Sequence, residues 1–204
     1  TSQLNEAQYE DFFAPLLEQG DVLHIAFGSG MTASVQNAKL AAEVLREKYP
    51  ERKLVVIDSL CSSSGYGLLV DAAADMRDAG KSLDETAEWV TANCNKVHHQ
   101  FYSTELKFYR RSGRMSGATA TIATILDICP IMRLDSKGAI KAYGKVRGKK
   151  KAVQATVDAM VQHAQGGRGY DQRCFVCHSQ CPEDAQLLID ALEERFPKLR
   201  GRIR

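Results

Sequence analysis

The stretch Val22-Leu-His-Ile-Ala-Phe-Gly-Ser-Gly-Met-Thr32 decides the fold. Its apolar first half predicts a buried strand, and its two glycines predict a turn into a helix that Pro50 ends. Lys53-Leu-Val-Val-Ile-Asp58 repeats the arrangement, followed by the loop Ser62-Ser-Ser-Gly-Tyr-Gly67 and a helix from about Leu68. Strands that alternate with helices are typical of an α/β fold with a parallel sheet.

The second half of the chain has a different pattern. Two short strand patterns flank Asp135-Ser-Lys-Gly138, which predicts a hairpin. Further along, the spacing predicts helices over 83–96, 118–127, 149–165 and 182–196, and a strand over 174–177. We therefore expect an α/β fold of two α/β lobes, with a largely parallel sheet in the first. The N-terminal lobe is placed at residues 1–112 and the C-terminal lobe at 113–204.

Composition narrows the class of protein. Of the 204 residues, 44% are hydrophobic, which is enough for a sizeable core, and the net charge is only +2. The N-terminal sequence lacks the pattern of a signal peptide, and no run approaches the roughly 20 apolar residues that span a bilayer. The sequence thus predicts a cytoplasmic protein without stable membrane insertion.

Two loops that leave adjacent predicted strands, Gly28-Ser-Gly-Met-Thr32 and Ser59 to Gly67, are candidate ligand sites. Ligands of open α/β sheets bind at the carboxyl ends of the strands, where hydroxyls and helix N-terminal N–H groups suit a carboxylate or phosphate. Alternatively, the glycines only permit tight turns and Thr32 caps a helix. Neither loop matches the dinucleotide or P-loop fingerprints.

Cys174-Phe-Val-Cys-His178, with Cys181 nearby, matches the pattern of covalent haem attachment. All four potential ligands lie within eight positions, unlike the two half-sites of zinc modules, so we predict structural cysteines. There is also no G-x-S-x-G elbow and no evident nucleophile–base pair. We expect no catalytic residues, no metal and no cofactor, while an anion-binding α/β enzyme and a thiol redox or metal protein remain alternatives.

A run of seven basic residues without an acid extends from Ser136 to Val157: Lys137, Lys141, Lys145, Arg147, Lys149, Lys150 and Lys151. Such a run suits nucleic acid, an anionic membrane surface or an acidic protein face, or is a solvated turn. Only Tyr143 offers an aromatic ring for base stacking, so we expect no nucleic-acid partner.

Seven segments, taken in order, resemble the DegV family of bacterial fatty-acid-binding proteins. They begin with Thr1-Ser-Gln3, Phe27-Gly-Ser-Gly-Met-Thr-Ala-Ser34, Asp58-Ser59 with Ser63, and Tyr109-Arg-Arg-Ser-Gly-Arg-Met-Ser-Gly117. They continue with Pro130-Ile-Met-Arg133, Lys145-Val-Arg-Gly-Lys-Lys-Lys151, and His178 with Pro182-Glu-Asp-Ala185.

The resemblance implies a fatty acid buried between two lobes. Its carboxylate would contact Thr1, Ser2, Ser29, Thr32, Ser63 and Arg114, and its acyl chain would lie in an apolar tunnel near Ala118 to Leu126. The family's carrier presents the fatty acid to a separate kinase subunit, which forms the acyl phosphate, so the chain itself would not be an enzyme. Arg147 and Lys149 are the expected kinase contacts. The family also implies a strand-helix segment before Thr1 and a histidine-bearing loop after Arg204, so we expect a partial chain.

Overall fold

The computed structural model describes residues 3–104, 107–114 and 127–204. The chain divides into two compact units. One comprises Thr1–Val97 with Ser136–Gly138, and the other comprises His98–Asp135 with Ala139–Arg204. Residues 98–112, which the sequence analysis assigned to the first lobe, group with the second unit because the strand at Gln100–Tyr102 pairs with the hairpin.

The first unit is built on two parallel strands, β1 (Val22–Ala26) and β2 (Leu54–Asp58), paired from Val22 opposite Leu54 to Ala26 opposite Asp58. Its helices are α1 (Glu6–Leu17), α2 (Ser34–Lys48), α3 (Ser63–Asp78) and α4 (Leu83–Asn93), with a 3-10 turn at Cys94–Lys96. The parallel pair is confirmed. The sequence analysis did not assign α1, and it started α3 five residues late, because it took the glycines of its first turns for a loop.

Each face of this sheet is covered by a different pair of helices. On one face, Phe13 of α1 and Leu45 of α2 pack with Leu54. On the other, Ile25 and Ile57 pack with α3 and with Val90 of α4. Alternate strand residues point to opposite faces, so this two-sided burial explains the nearly continuous apolar runs in the sequence. Because β1 and β2 are parallel, their carboxyl ends lie at the same edge of the sheet.

The second unit holds an antiparallel sheet in the order β3 (Gln100–Tyr102), β4 (Ile128–Leu134), β5 (Ile140–Arg147). Its helices are α5 (Lys107–Ser112), α6 (Lys149–His163) and α7 (Pro182–Arg195), with 3-10 turns at Gly167–Gly169 and Pro197–Leu199. The predicted hairpin is confirmed and is longer than expected. The core of the second unit includes Val157 of α6 and Phe196, which follows α7.

Two further expectations concern this unit and the chain as a whole. The strand predicted over 174–177 is wrong: Cys174 and Val176 exchange backbone hydrogen bonds with Arg204 alone, a contact too short to form a strand. The helix predicted over 118–127 lies almost entirely outside the described residues. No helix in the described ranges is both long and apolar enough to cross a bilayer.

Candidate functional site

Asp58, the last residue of β2, joins the two strand-to-helix loops of the first unit. Its Oδ1 atom accepts a hydrogen bond from the Ser29 N–H of the first loop at 3.0 Å and from the Leu60 N–H of the second at 3.1 Å. The sequence analysis gave Asp58 no role in a site beyond its place in a segment that resembles the family. A side chain that bridges two loops 29 residues apart cannot be recognised from local sequence alone.

The loops also touch through their backbones. The Gly28 N–H donates to the Cys61 carbonyl at 2.9 Å, and a Cβ atom on Gly28 would lie 2.8 Å from Cys61 N. Below the loops, the fully buried Ser59 accepts from the Cys61 N–H at 3.1 Å through its Oγ. Gly28 is therefore required for the close approach, beyond any role in a turn.

Two residues of the second loop have left-handed backbone conformations that non-glycine residues rarely adopt. The φ angles are 53° for Leu60 and 48° for Ser63. Such conformations cost roughly 1–3 kcal/mol each and concentrate at ligand sites. The side chains of Ser29 and Ser63 are exposed, and within the described part of the chain neither hydroxyl has a hydrogen-bond partner.

Thr32 already forms hydrogen bonds with other residues of this chain. Its Oγ1 donates to Gln3 Oε1 at 3.0 Å and accepts from the Ser34 N–H at 3.2 Å. The same Gln3 oxygen accepts from the Ala33 N–H at 3.2 Å. One amide oxygen thus accepts from a hydroxyl and a backbone N–H at the start of α2, as a carboxylate oxygen would. Sequence analysis missed this role of Gln3.

The other predicted ligand contacts lie outside the described residues or belong to the second unit. Thr1 and Ser2 lie outside the described residues, as does the apolar stretch predicted to form the acyl tunnel. Arg114 belongs to the second unit, where it is exposed and donates to the Ser112 carbonyl at 2.7 Å.

The two predicted kinase contacts differ in their surroundings. Arg147 ends the edge strand β5 and is exposed, with no carboxylate partner among the described residues. Lys149 begins α6 and forms an ion pair with Asp184 of α7 at 2.7 Å. The basic stretch therefore has an acidic partner that is distant in sequence.

The cysteine cluster gives no metal centre within the described ranges. Burial raises the pKa of Cys174 to about 11, whereas Cys177 is exposed. His178 Nδ1 accepts from the N–H of Cys181, the residue before α7, at 3.1 Å. Near the loops, burial, with smaller effects of Cys94 and Asp58, raises the pKa of the Cys61 thiol to about 12, which suppresses the thiolate.

Comparison with known proteins identifies the family of this chain. A family model described as "Uncharacterised protein, DegV family" matches residues 1–203. The chain belongs to the DegV family. A DegV domain-containing protein of Clostridium perfringens is 33% identical over 97% of this chain and 67% of its own length. A Lactococcus lactis DegV domain-containing protein is also 33% identical, but only 56% of its length is covered. The chain thus spans about half to two thirds of these relatives.

A solved structure shares the fold of this DegV chain. The Streptococcus pneumoniae fatty acid kinase B3 protein, loaded with linoleic acid, superposes with a TM-score of 0.85 at 27% identity, over 97% of this chain and 68% of that one. The mixed α/β fold class and the family resemblance are therefore confirmed. The assignments of individual site residues stay predictions.

Proposed function

We propose that the chain binds a long-chain fatty acid and is not itself an enzyme. The observation that carries the proposal is the pair of unengaged hydroxyls, Ser29 and Ser63, held at the carboxyl ends of two parallel strands. The Asp58 bridge and the Gly28 contact fix the loops that bear them. The similarity to a protein loaded with linoleic acid supports a fatty acid as the ligand.

The carboxylate is bound by hydroxyl donors. Ser29 and Ser63 donate directly, and Thr32 donates once the ligand replaces Gln3 Oε1 at the start of α2. A carboxylate carries a full negative charge, which strengthens its hydrogen bonds relative to those of an amide oxygen. Thr1, Ser2 and Arg114 complete the proposed set of contacts, and the stretch 118–126 supplies the apolar tunnel.

In this proposal a partner kinase phosphorylates the presented carboxylate. Arg147 is the preferred docking residue, because its guanidinium is exposed and binds a carboxylate at two points, whereas Lys149 is held by Asp184. Arg147→Ala should slow acyl phosphate formation by the kinase and leave fatty-acid binding intact. Arg77→Ala, an exposed arginine of the first unit, is the control. Normal turnover in the Arg147 variant would refute the docking assignment.

Native mass spectrometry tests the ligand class. After incubation with linoleic acid, the native mass should exceed the denatured mass by one fatty acid. A haem or metal mass would instead support the redox alternative. No added mass after incubation would contradict the proposal.

The second candidate, an anion-binding α/β enzyme acting on a phosphorylated or carboxylated small molecule, is favoured by the left-handed Leu60 and Ser63, since such strain also occurs at active sites. The suppressed Cys61 thiolate and the bridging role of Asp58 leave these loops without an evident nucleophile or base among the described residues.

A further inference from the structure

A row of polar side chains crosses the antiparallel sheet of the second unit. Gln100 of β3 lies opposite Arg133 of β4, which in turn lies opposite Lys141 of β5. Directly paired residues of neighbouring strands share a face, and like charges in such pairs are destabilising. Asp135 lies 3.8 Å from Lys141, but Arg133 has no carboxylate partner among the residues that the structure describes.

Specific contacts hold this row in place. The Arg133 guanidinium lies over the Tyr143 ring, 5.5 Å from its centroid, and the Tyr143 hydroxyl donates to Gln100 Oε1 at 2.6 Å. Gln100 Nε2 lies 3.3 Å from His98 Nδ1. The His98 ring stacks on His163, the last residue of α6, with centroids 4.1 Å apart. A guanidinium and two imidazoles are thus linked through Tyr143 and Gln100, and Lys141 is paired with Arg133 on the neighbouring strand.

His98 is influenced by other basic groups of this cluster. Partial burial of the ring, followed by the charges of His163, Arg133 and His99, lowers the pKa of His98 to about 4. The three side chains that act on the ring are all basic. A bound anion would remove this repulsion and favour imidazolium donors.

We propose that Arg133, Lys141 and the His98–His163 pair bind a phosphoryl group on this face of the second unit. The fork of a guanidinium matches two phosphate oxygens, and the ammonium and imidazoles remain to meet the others. The phosphoryl group belongs to a soluble phosphate ester or to a lipid headgroup. None of these residues is among the proposed fatty-acid contacts, and the proposal does not depend on the function of those loops.

Imidazole NMR tests the site with inorganic phosphate as the probe, at about pH 6, where ordinary histidines begin to protonate. The ring signals of His98 and His163 should shift saturably, and Arg133→Gln should raise the half-saturating concentration roughly tenfold. Lys150→Gln with Lys151→Gln removes two exposed charges from the first turn of α6 and should change nothing. Shifts that do not saturate, or that saturate equally in Arg133→Gln, would overturn the proposal.

Two further arms identify the source of the phosphoryl group. Competition by glycerol phosphate without sedimentation on phosphatidylglycerol vesicles indicates a soluble ester. Sedimentation that Arg133→Gln abolishes, and the Lys150–Lys151 double variant retains, indicates a lipid headgroup. Either result supports a site for a phosphoryl group.

Linoleic acid binding separates this proposal from the proposed function. Arg133→Gln should retain it, because the residue lies outside the proposed fatty-acid contacts. If Arg133→Gln loses it through misfolding, the phosphate titration of Lys141→Gln decides: weaker binding supports the site, and unchanged binding refutes it.

Discussion

The two strand-to-helix loops of the first unit place their polar groups under different constraints. In the first loop, Thr32 and the Ala33 N–H are satisfied by Gln3 from the N-terminal segment. In the second, Leu60 and Ser63 adopt left-handed conformations and the Ser63 hydroxyl is unengaged. In the proposed function, Thr32 must therefore exchange an internal acceptor for the ligand, whereas Ser63 is already available to donate.

Gly28→Ala should have the largest effect, because it forces apart the backbones that join the loops. The added Cβ would lie 2.8 Å from Cys61 N and from the Leu60 carbonyl carbon. We expect a loss of about 3 kcal/mol in unfolding free energy and no linoleic acid binding. Urea unfolding and calorimetry measure the two effects.

Gly67→Ala is the matched control. Nothing lies within 4 Å of a Cβ at this position, which is inside α3. Its unfolding free energy should rise by about 0.5–1 kcal/mol. Equal destabilisation by both alanines would show that the loop contact is not special.

Thr32→Val tests the first loop next. It removes the donor hydroxyl at nearly constant shape, and it should weaken fatty-acid binding by roughly 1.5–3 kcal/mol, the range for a hydrogen bond to a charged group. Gln3→Ala should have the opposite sign, since it removes the internal competitor for Thr32. Calorimetry with linoleic acid measures both, and unchanged affinity in Thr32→Val would refute the assignment of Thr32.

Asp58→Ala removes the acceptor shared by the two loops. Two N–H groups, of Ser29 and Leu60, lose their partner, and we expect a cost of about 1–2 kcal/mol in unfolding free energy. Asp58→Asn keeps an oxygen at this position and should cost less. Equal losses in urea unfolding of the two variants would indicate that the charge, rather than the acceptor geometry, joins the loops.

His24 of β1 should give the smallest effect, visible only in acid. Its Nε2 is buried and has no hydrogen-bond partner in the part of the chain that the structure describes, and burial lowers its pKa. The unfolded chain therefore takes up a proton first, so stability is lost as pH falls below about 6.5, the ordinary value for histidine. His24→Leu should flatten this part of the stability profile in urea unfolding. An unchanged slope would show that His24 does not titrate on unfolding.

The sequence predicted those features that depend on local pattern. The parallel pair, the helix that begins at Leu83 and the hairpin at Asp135 each follow from the spacing of neighbouring residues. Contacts of long range were not predictable in this way. Gln3 accepts a hydrogen bond from Thr32, Asp58 accepts one from Ser29, and Asp184 forms an ion pair with Lys149. The two residues of each pair are about 30 positions apart in the chain.

Linoleic acid labelled with ¹³C at its carboxyl carbon tests most directly whether the two loops hold the carboxylate. With the wild-type protein, we expect one bound carboxyl resonance, distinct from that of the free acid. In the Ser29→Ala, Ser63→Ala double variant this resonance should move and the affinity should fall. The absence of a bound resonance with the wild type, or the same resonance and affinity in the double variant, would show that the two loops do not hold the carboxylate.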